Sequence, residues 1–168
     1  MESPVTIRQA GSETDIVEVR RIFREYEAWH GFDLCFQGYE DELKNLPGKY
    51  SDPDGRLYLA RVDGAIAGCI ALRPLETGVC EMKRLFVKKE FRGLRIGRML
   101  IERVIDDARE IGYATMRLDT FPPIMGKAVE LYESYGFREI PPYYNNPNEG
   151  VLFMELRLDT SETPIRVR

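Results

Sequence analysis

The segment Phe91 to Leu100 reads FRGLRIGRML and sets Gly93 and Gly97 among Arg92, Arg95 and Arg98. Glycines let a backbone turn its N–H groups outward, and the first N–H groups of a helix have no intrahelical partner. Such donors, the positive end of a helix dipole and three guanidinium groups in one place would hold an anion, best matched to phosphate or pyrophosphate. A cluster of charge alone is more often a solvated face, so the surrounding elements have to decide between the two readings. The Gly-Lys-Ser/Thr ending of a nucleotide P-loop is missing, and so is the third glycine of the dinucleotide fingerprint.

Those elements can be read from periodicity. VTIRQA (5–10) is a short strand, and Ile16, Val19, Ile22, Phe23, Tyr26 and Trp29 then recur at helical spacing behind Ser12 and Asp15, a capping pair. GYEDELKNLPGKY (38–50) reads as a short second helix stopped by Pro47 and Gly48. Asp63-Gly64 is a hairpin signal between RLYLARV and AIAGCIALRPL, and a turn at 76–78 leads to the strand VCEMKRLFV (79–87). Ile96, Met99, Leu100, Val104, Ile105, Ala108 and Ile111 make an amphipathic helix that begins inside the opening segment and ends at Gly112. The strand YATMRLDTF, the helix IMGKAVELYESYG and the strands FREI and VLFMELRL complete the chain. The expected fold class is α/β in the order β-α-α-β-β-β-α-β-α-β-β. It would have a mixed, mostly antiparallel sheet of six or seven strands and about four helices. Residues 1–158 read as one domain and 159–168 as a polar tail. The anion loop therefore joins a strand to a helix, which favours the binding reading over a surface turn.

Composition sets the outer limits. The 168 residues are 43% apolar and 31% charged, as in an ordinary globular chain. No apolar run is long enough for a membrane helix, and the N-terminus lacks the features of a secretory signal. Cys35, Cys69 and Cys80 are odd in number and widely spaced, which points to reduced thiols and a cytoplasmic protein. His30 is the only histidine and there is no Cys-x-x-Cys pair, so no metal is expected; His30 itself reads as a surface or packing residue. The net charge of −4 hides an asymmetry: residues 1–80 carry 9 basic against 14 acidic side chains, residues 81–168 carry 15 against 14. Seven basic residues fall between 83 and 98, with Glu90 their one acidic neighbour. This is a single loop without interleaved aromatic residues, so nucleic acid is not an expected partner.

Arg92-Gly93-Leu94-Arg95-Ile96-Gly97 resembles the coenzyme A pyrophosphate loop of the GNAT superfamily of N-acetyltransferases, Arg/Gln-x-x-Gly-x-Gly/Ala. AVELYESYGF (128–137) is similar to that family's second signature, and the element order is also the family's, so the resemblance spans residues 5–157. It implies acetyl-CoA as co-substrate, held by the loop residues Arg92 to Gly97, by Arg98, and by Leu85, Phe86 and Val87, beside which the pantetheine arm lies like an extra strand. An N–H of that strand polarises the thioester carbonyl, an oxyanion-hole role. Glu81, four residues before Leu85, is the implied base, and Tyr132 the implied acid for the departing thiolate. Each has a plainer alternative: Glu81 paired with Lys83 on an exposed edge, and Tyr132 as a core residue of its helix.

The chain departs from the family pattern twice. Arg95 stands where a glycine is usual, so a positive φ there would be strained. Met125 stands where an asparagine often contacts the coenzyme, so that contact is expected to be absent or replaced, with Lys127 or Thr120 as the replacement. For the acceptor amine the resemblance points to residues 29–46 and to PPYYNNPNEG (141–150), which offers Tyr143, Tyr144, Asn145 and Asn146. Glu40, Asp41 and Glu42 read as the solvated face of a short helix, with attraction of a cationic amine as the other choice. The expected activity is direct acetyl transfer from acetyl-CoA to a primary amine, on a small molecule rather than a protein, with no membrane partner and with room left for a homodimer. An acyl-CoA-binding sensor of the same fold is the alternative.

Overall fold

A computed structural model describes residues 4–31 and 38–159, without the side chains of His30 and Ile124. The expectations for Cys35, for the His30 side chain and for most of the tail lie outside these residues. Thirteen elements follow in the expected order: β1 (Val5–Gln9), α1 (Glu13–His30), α2 (Tyr39–Lys44), a 3-10 turn at Gly48–Tyr50, β2 (Arg56–Val62), β3 (Ala65–Glu76), β4 (Val79–Val87), a second 3-10 turn at Lys89–Phe91, α3 (Ile96–Ile111), β5 (Thr115–Thr120), α4 (Pro122–Ser134), β6 (Arg138–Ile140) and β7 (Leu152–Arg157). α1 begins where its capping box demands: the Ser12 hydroxyl accepts from the Asp15 N–H and the Asp15 carboxylate accepts from the Ser12 N–H. The α4 helix starts two residues earlier than its pattern indicated, because Pro122 and Pro123 suit the first turn, where no N–H is needed.

The seven strands form one sheet in the order β1-β2-β3-β4-β5-β7-β6, antiparallel except between β4 and β5. Alternation along β2 sends Leu57 and Leu59 to a core under α1 and α2, and Tyr58, Ala60 and Val62 to a second core under α3 and α4. The sheet is thus the middle layer, with a helix pair on each face.

Two irregularities in β4 make the site. Opposite Cys69 to Ala71 on β3, the β4 strand spends one extra residue, and Arg84 sits there at φ 61°. Because strand side chains alternate, one inserted residue reverses every side chain beyond it. Cys80 and Met82 face α3, but past the bulge Leu85 and Val87 do so, while Phe86 crosses to the α1 side. The second irregularity is short pairing: β4 joins β5 only over Val79–Glu81 and Thr115–Arg117, and the strands then separate. Phe86 and Val87 keep their β3 partners, and the Leu85–Val87 edge toward β5 has no strand paired to it among the described residues.

Candidate active site

The separated strands lead on to the glycine-arginine loop. Gly93 has φ 93° and Arg95 φ 63°, so Arg95 takes the left-handed conformation that its sequence made expensive. The first hydrogen bond of α3 runs from Met99 N–H to the Arg95 carbonyl at 3.1 Å, which leaves the N–H groups of Ile96 and Gly97 without helical partners. No side chain of Arg95 caps them. Ile96 is buried and anchors the helix start in the core, whereas Arg92, Gly93, Leu94 and Arg95 are exposed. A Cβ built on Gly97 would meet nothing within 4 Å, so the glycine keeps the space over these donors open. The Arg92 guanidinium lies over the Trp29 ring, 5.4 Å from its centre, and its Nε reaches the Val87 carbonyl at 3.4 Å.

The conformation of Arg95 has a measurable consequence. A left-handed L-residue costs about 1–2 kcal/mol, and part of a glycine's relief is returned through the freer unfolded chain. Arg95→Gly is therefore expected to raise Tm by roughly 2–4 °C. An unchanged or lower Tm in thermal unfolding would mean that the arginine's contacts offset its strain.

The basic segment read from the sequence as compact divides here. Lys83 and Arg84 are 4% and 3% exposed and belong to the sheet, apart from the arginines of the loop. Where β4 and β5 part, a cavity of about 20 Å³, room for roughly one water, is lined by Tyr26, Lys83, Leu85, Asp119, Met125 and Tyr132 among others. Tyr132 is buried and stacks edge-on against Phe137 at 5.7 Å. Burial pushes its pKa well up, so the phenol keeps its proton. Met125 interrupts α4 with φ −113° and ψ 28°, and the Thr120 hydroxyl lies 3.5 Å from its sulfur. Of the two replacements considered for the family asparagine, Thr120 reaches Met125, and Lys127 is exposed.

The α1 face of the same strands is polar and buried. Glu81 is 1% exposed; its Oε1 accepts from Arg73 at 2.8 Å and its Oε2 from the Tyr143 hydroxyl at 2.5 Å. The exposed-edge pair with Lys83 does not form, because this part of β4 lies in the middle of the sheet. Lys83 faces Asp119 of β5 instead, at 3.7 Å. The Tyr144 hydroxyl donates to Asp119 Oδ2 and accepts from Asn146 Nδ2 at 2.8 Å. Burial works to raise the Asp119 pKa, but Lys83 and the Tyr144 hydroxyl hold the carboxyl below its usual range. Glu42 is not on a solvated face: Arg84 pairs with both of its oxygens at 2.9 Å, while Glu40 pairs with Arg24 at the surface.

The structure thus brings Leu85 and Tyr132 into one cavity, sets Glu81 on the neighbouring polar face, and leads the β4 edge into the loop. Sequence reading missed Asp119, Arg73 and Tyr26. A charged residue in mid-strand, with Met116, Leu118 and Thr120 alternating around it, was the available signal for Asp119.

The Acetyltransferase (GNAT) family model matches residues 17–137. An uncharacterized N-acetyltransferase of Schizosaccharomyces pombe is 39% identical, over 93% of this chain and 96% of its own. Among solved structures, a GNAT-family acetyltransferase of Staphylococcus aureus superposes with a TM-score of 0.76 at 23% identity, covering 92% of this chain and 99% of that one. A Salmonella typhimurium protein described as a putative acetyltransferase with its cofactor acetyl-CoA has a TM-score of 0.64 at 20% identity, over 98% and 100% of the two chains.

Proposed function

Since this chain belongs to the GNAT acetyltransferase family and is an acetyl-CoA-dependent acyltransferase, we propose that it transfers acetyl directly to a primary amine of a small molecule. The observation that carries this reading is the parting of β4 and β5, which runs from the uncapped start of α3 to the cavity where Leu85 and Tyr132 meet. In this reading the N–H groups of Ile96 and Gly97 receive the pyrophosphate with Arg92, Arg95 and Arg98, the edge of Leu85–Val87 receives the pantetheine arm, and an N–H of that edge polarises the carbonyl. Glu81 is the base named by the sequence, and reaching it requires an amine to displace the Tyr143 hydroxyl. Tyr132 gives its proton to the leaving thiolate.

Direct transfer is favoured by the state of the thiols among the described residues. Cys69 and Cys80 are free and buried; burial pushes both up, Cys80 to about 12, so neither supplies a thiolate for an acetyl-enzyme. The small-molecule reading rests on the 141–150 loop, whose Tyr143 and Tyr144 cover the polar face and leave a confined approach.

Thiol release from acetyl-CoA, measured across amino acids, polyamines, aminoglycosides and peptide N-termini, tests the proposal. Turnover with a small amine is expected. Turnover with peptides alone would overturn the acceptor class, and a rise in Tm with acetyl-CoA but no release with any amine would indicate a sensor.

A further inference from the structure

Building on the acetyl-transfer reading, we infer that Asp119, and not Glu81, takes the proton from the acceptor amine. The two carboxylates sit on adjacent strands and on the same face, but their surroundings differ. Glu81 has both oxygens engaged, one by the Arg73 guanidinium and one by Tyr143, and it is absent from the residues lining the cavity. An amine approaching it would have to break into an ion pair more deeply buried at its carboxylate than the Asp119–Lys83 pair. Asp119 does line the cavity, together with Leu85 and Tyr132, and its side chain is 15% exposed against 1% for Glu81. It lies two residues past Arg117, where the β4–β5 pairing ends, and so at the mouth of the cleft. Its Oδ2 is held by Tyr144, its own backbone N–H also bonds the carboxyl, and Oδ1 lies 3.7 Å from Lys83, an ion-pair distance rather than a hydrogen bond.

The chemistry then closes at the parting of β4 and β5. The lone pair of the neutral amine forms the C–N bond as the carbonyl π pair moves to oxygen, which the β4 edge stabilises. A proton leaves nitrogen for Asp119 Oδ1. The carbonyl re-forms, the C–S bond breaks, and the thiolate takes the proton of Tyr132. The proton on Asp119 then returns to the Tyr132 phenolate across the cavity, leaving amide and free thiol as products.

The charged and titratable groups facing Asp119 are Lys83 and Arg84 of β4, Tyr26 of α1, Tyr132 of α4, and Tyr143 and Tyr144 of the loop. With the amine that wild type turns over, Asp119→Asn should lower kcat by about 100-fold and remove from its kcat profile the acidic limb that lies below the usual carboxylate range, while acetyl-CoA affinity stays near wild type. Because that change touches a buried pair, Tyr144→Phe provides a second readout on a loop. It removes a hydrogen bond that lowers the Asp119 pKa, so the acidic limb should move to higher pH. Glu81→Gln, whatever its rate, should keep the wild-type limb. The inference is overturned if Asp119→Asn retains kcat within about threefold or loses acetyl-CoA binding, if the Tyr144→Phe limb does not move, or if Glu81→Gln removes the limb. If wild type acetylates no amine at all, the underlying reading falls together with it.

Discussion

Tyr132→Phe is expected to cut kcat by about 1,000-fold while acetyl-CoA affinity remains within a small factor of wild type. General acid catalysis supplies typically 10²–10⁴ in rate, and a buried phenol is a strong candidate for that role because burial keeps its proton in place until a thiolate forms beside it. Phenylalanine preserves the ring, its edge-on contact with Phe137 and the filling of the core under α4. Only the hydroxyl is lost, so the substitution separates proton supply from packing. Steady-state thiol release gives kcat, and titration calorimetry gives the coenzyme affinity. An equal fall in both would make Tyr132 a binding or packing residue, and an unchanged kcat would mean that water protonates the thiolate.

Gly97→Asp should weaken acetyl-CoA binding by about 1,000-fold, roughly 4 kcal/mol, without harming the fold. Gly97 is the second residue of α3, and its Cβ position faces open space, so an aspartate fits sterically. A carboxylate in the first turn of a helix interacts favourably with the dipole by about 0.3–1 kcal/mol, and replacing a helical glycine removes a further entropic cost. The variant should therefore melt at or above the wild-type temperature. The same carboxylate would occupy the anion position and repel a pyrophosphate. Calorimetry and thermal unfolding together give an unusual signature, lost binding in a fold of equal or greater stability. Retained affinity would locate the pyrophosphate away from this helix start.

Much of this architecture was written in local sequence patterns. The capping pair Ser12 and Asp15, the hairpin glycine Gly64 and the strand 79–87 recur in the structure at or near their expected positions, because each depends on neighbours a few residues away. The strand, loop and helix that carry the glycine-arginine segment were legible for the same reason. What stayed hidden depends on long-range pairing. The alternative of Glu81 paired with Lys83 on an exposed edge stood open because nothing local states that β4 lies at the centre of the sheet. Glu42 read as solvated because its partner Arg84 is 42 residues away and points inward only through a bulge that alternation alone does not announce. Asp119 offered only its charge within an alternating strand, and its place beside the parting depends on where β5 leaves β4.

That short pairing also has a mechanical consequence. β1 to β4 form one panel and β5, β7 and β6 another, sewn together along a seam of three residue pairs. A ligand arm laid along the edge of β4 would lengthen the seam from within and tie the panels more firmly to each other. The coenzyme would then act as a removable piece of the sheet. Amide hydrogens along the β4 edge would exchange slowly while it is bound and quickly once the thiol product leaves, so each turnover would loosen the domain and then fasten it again.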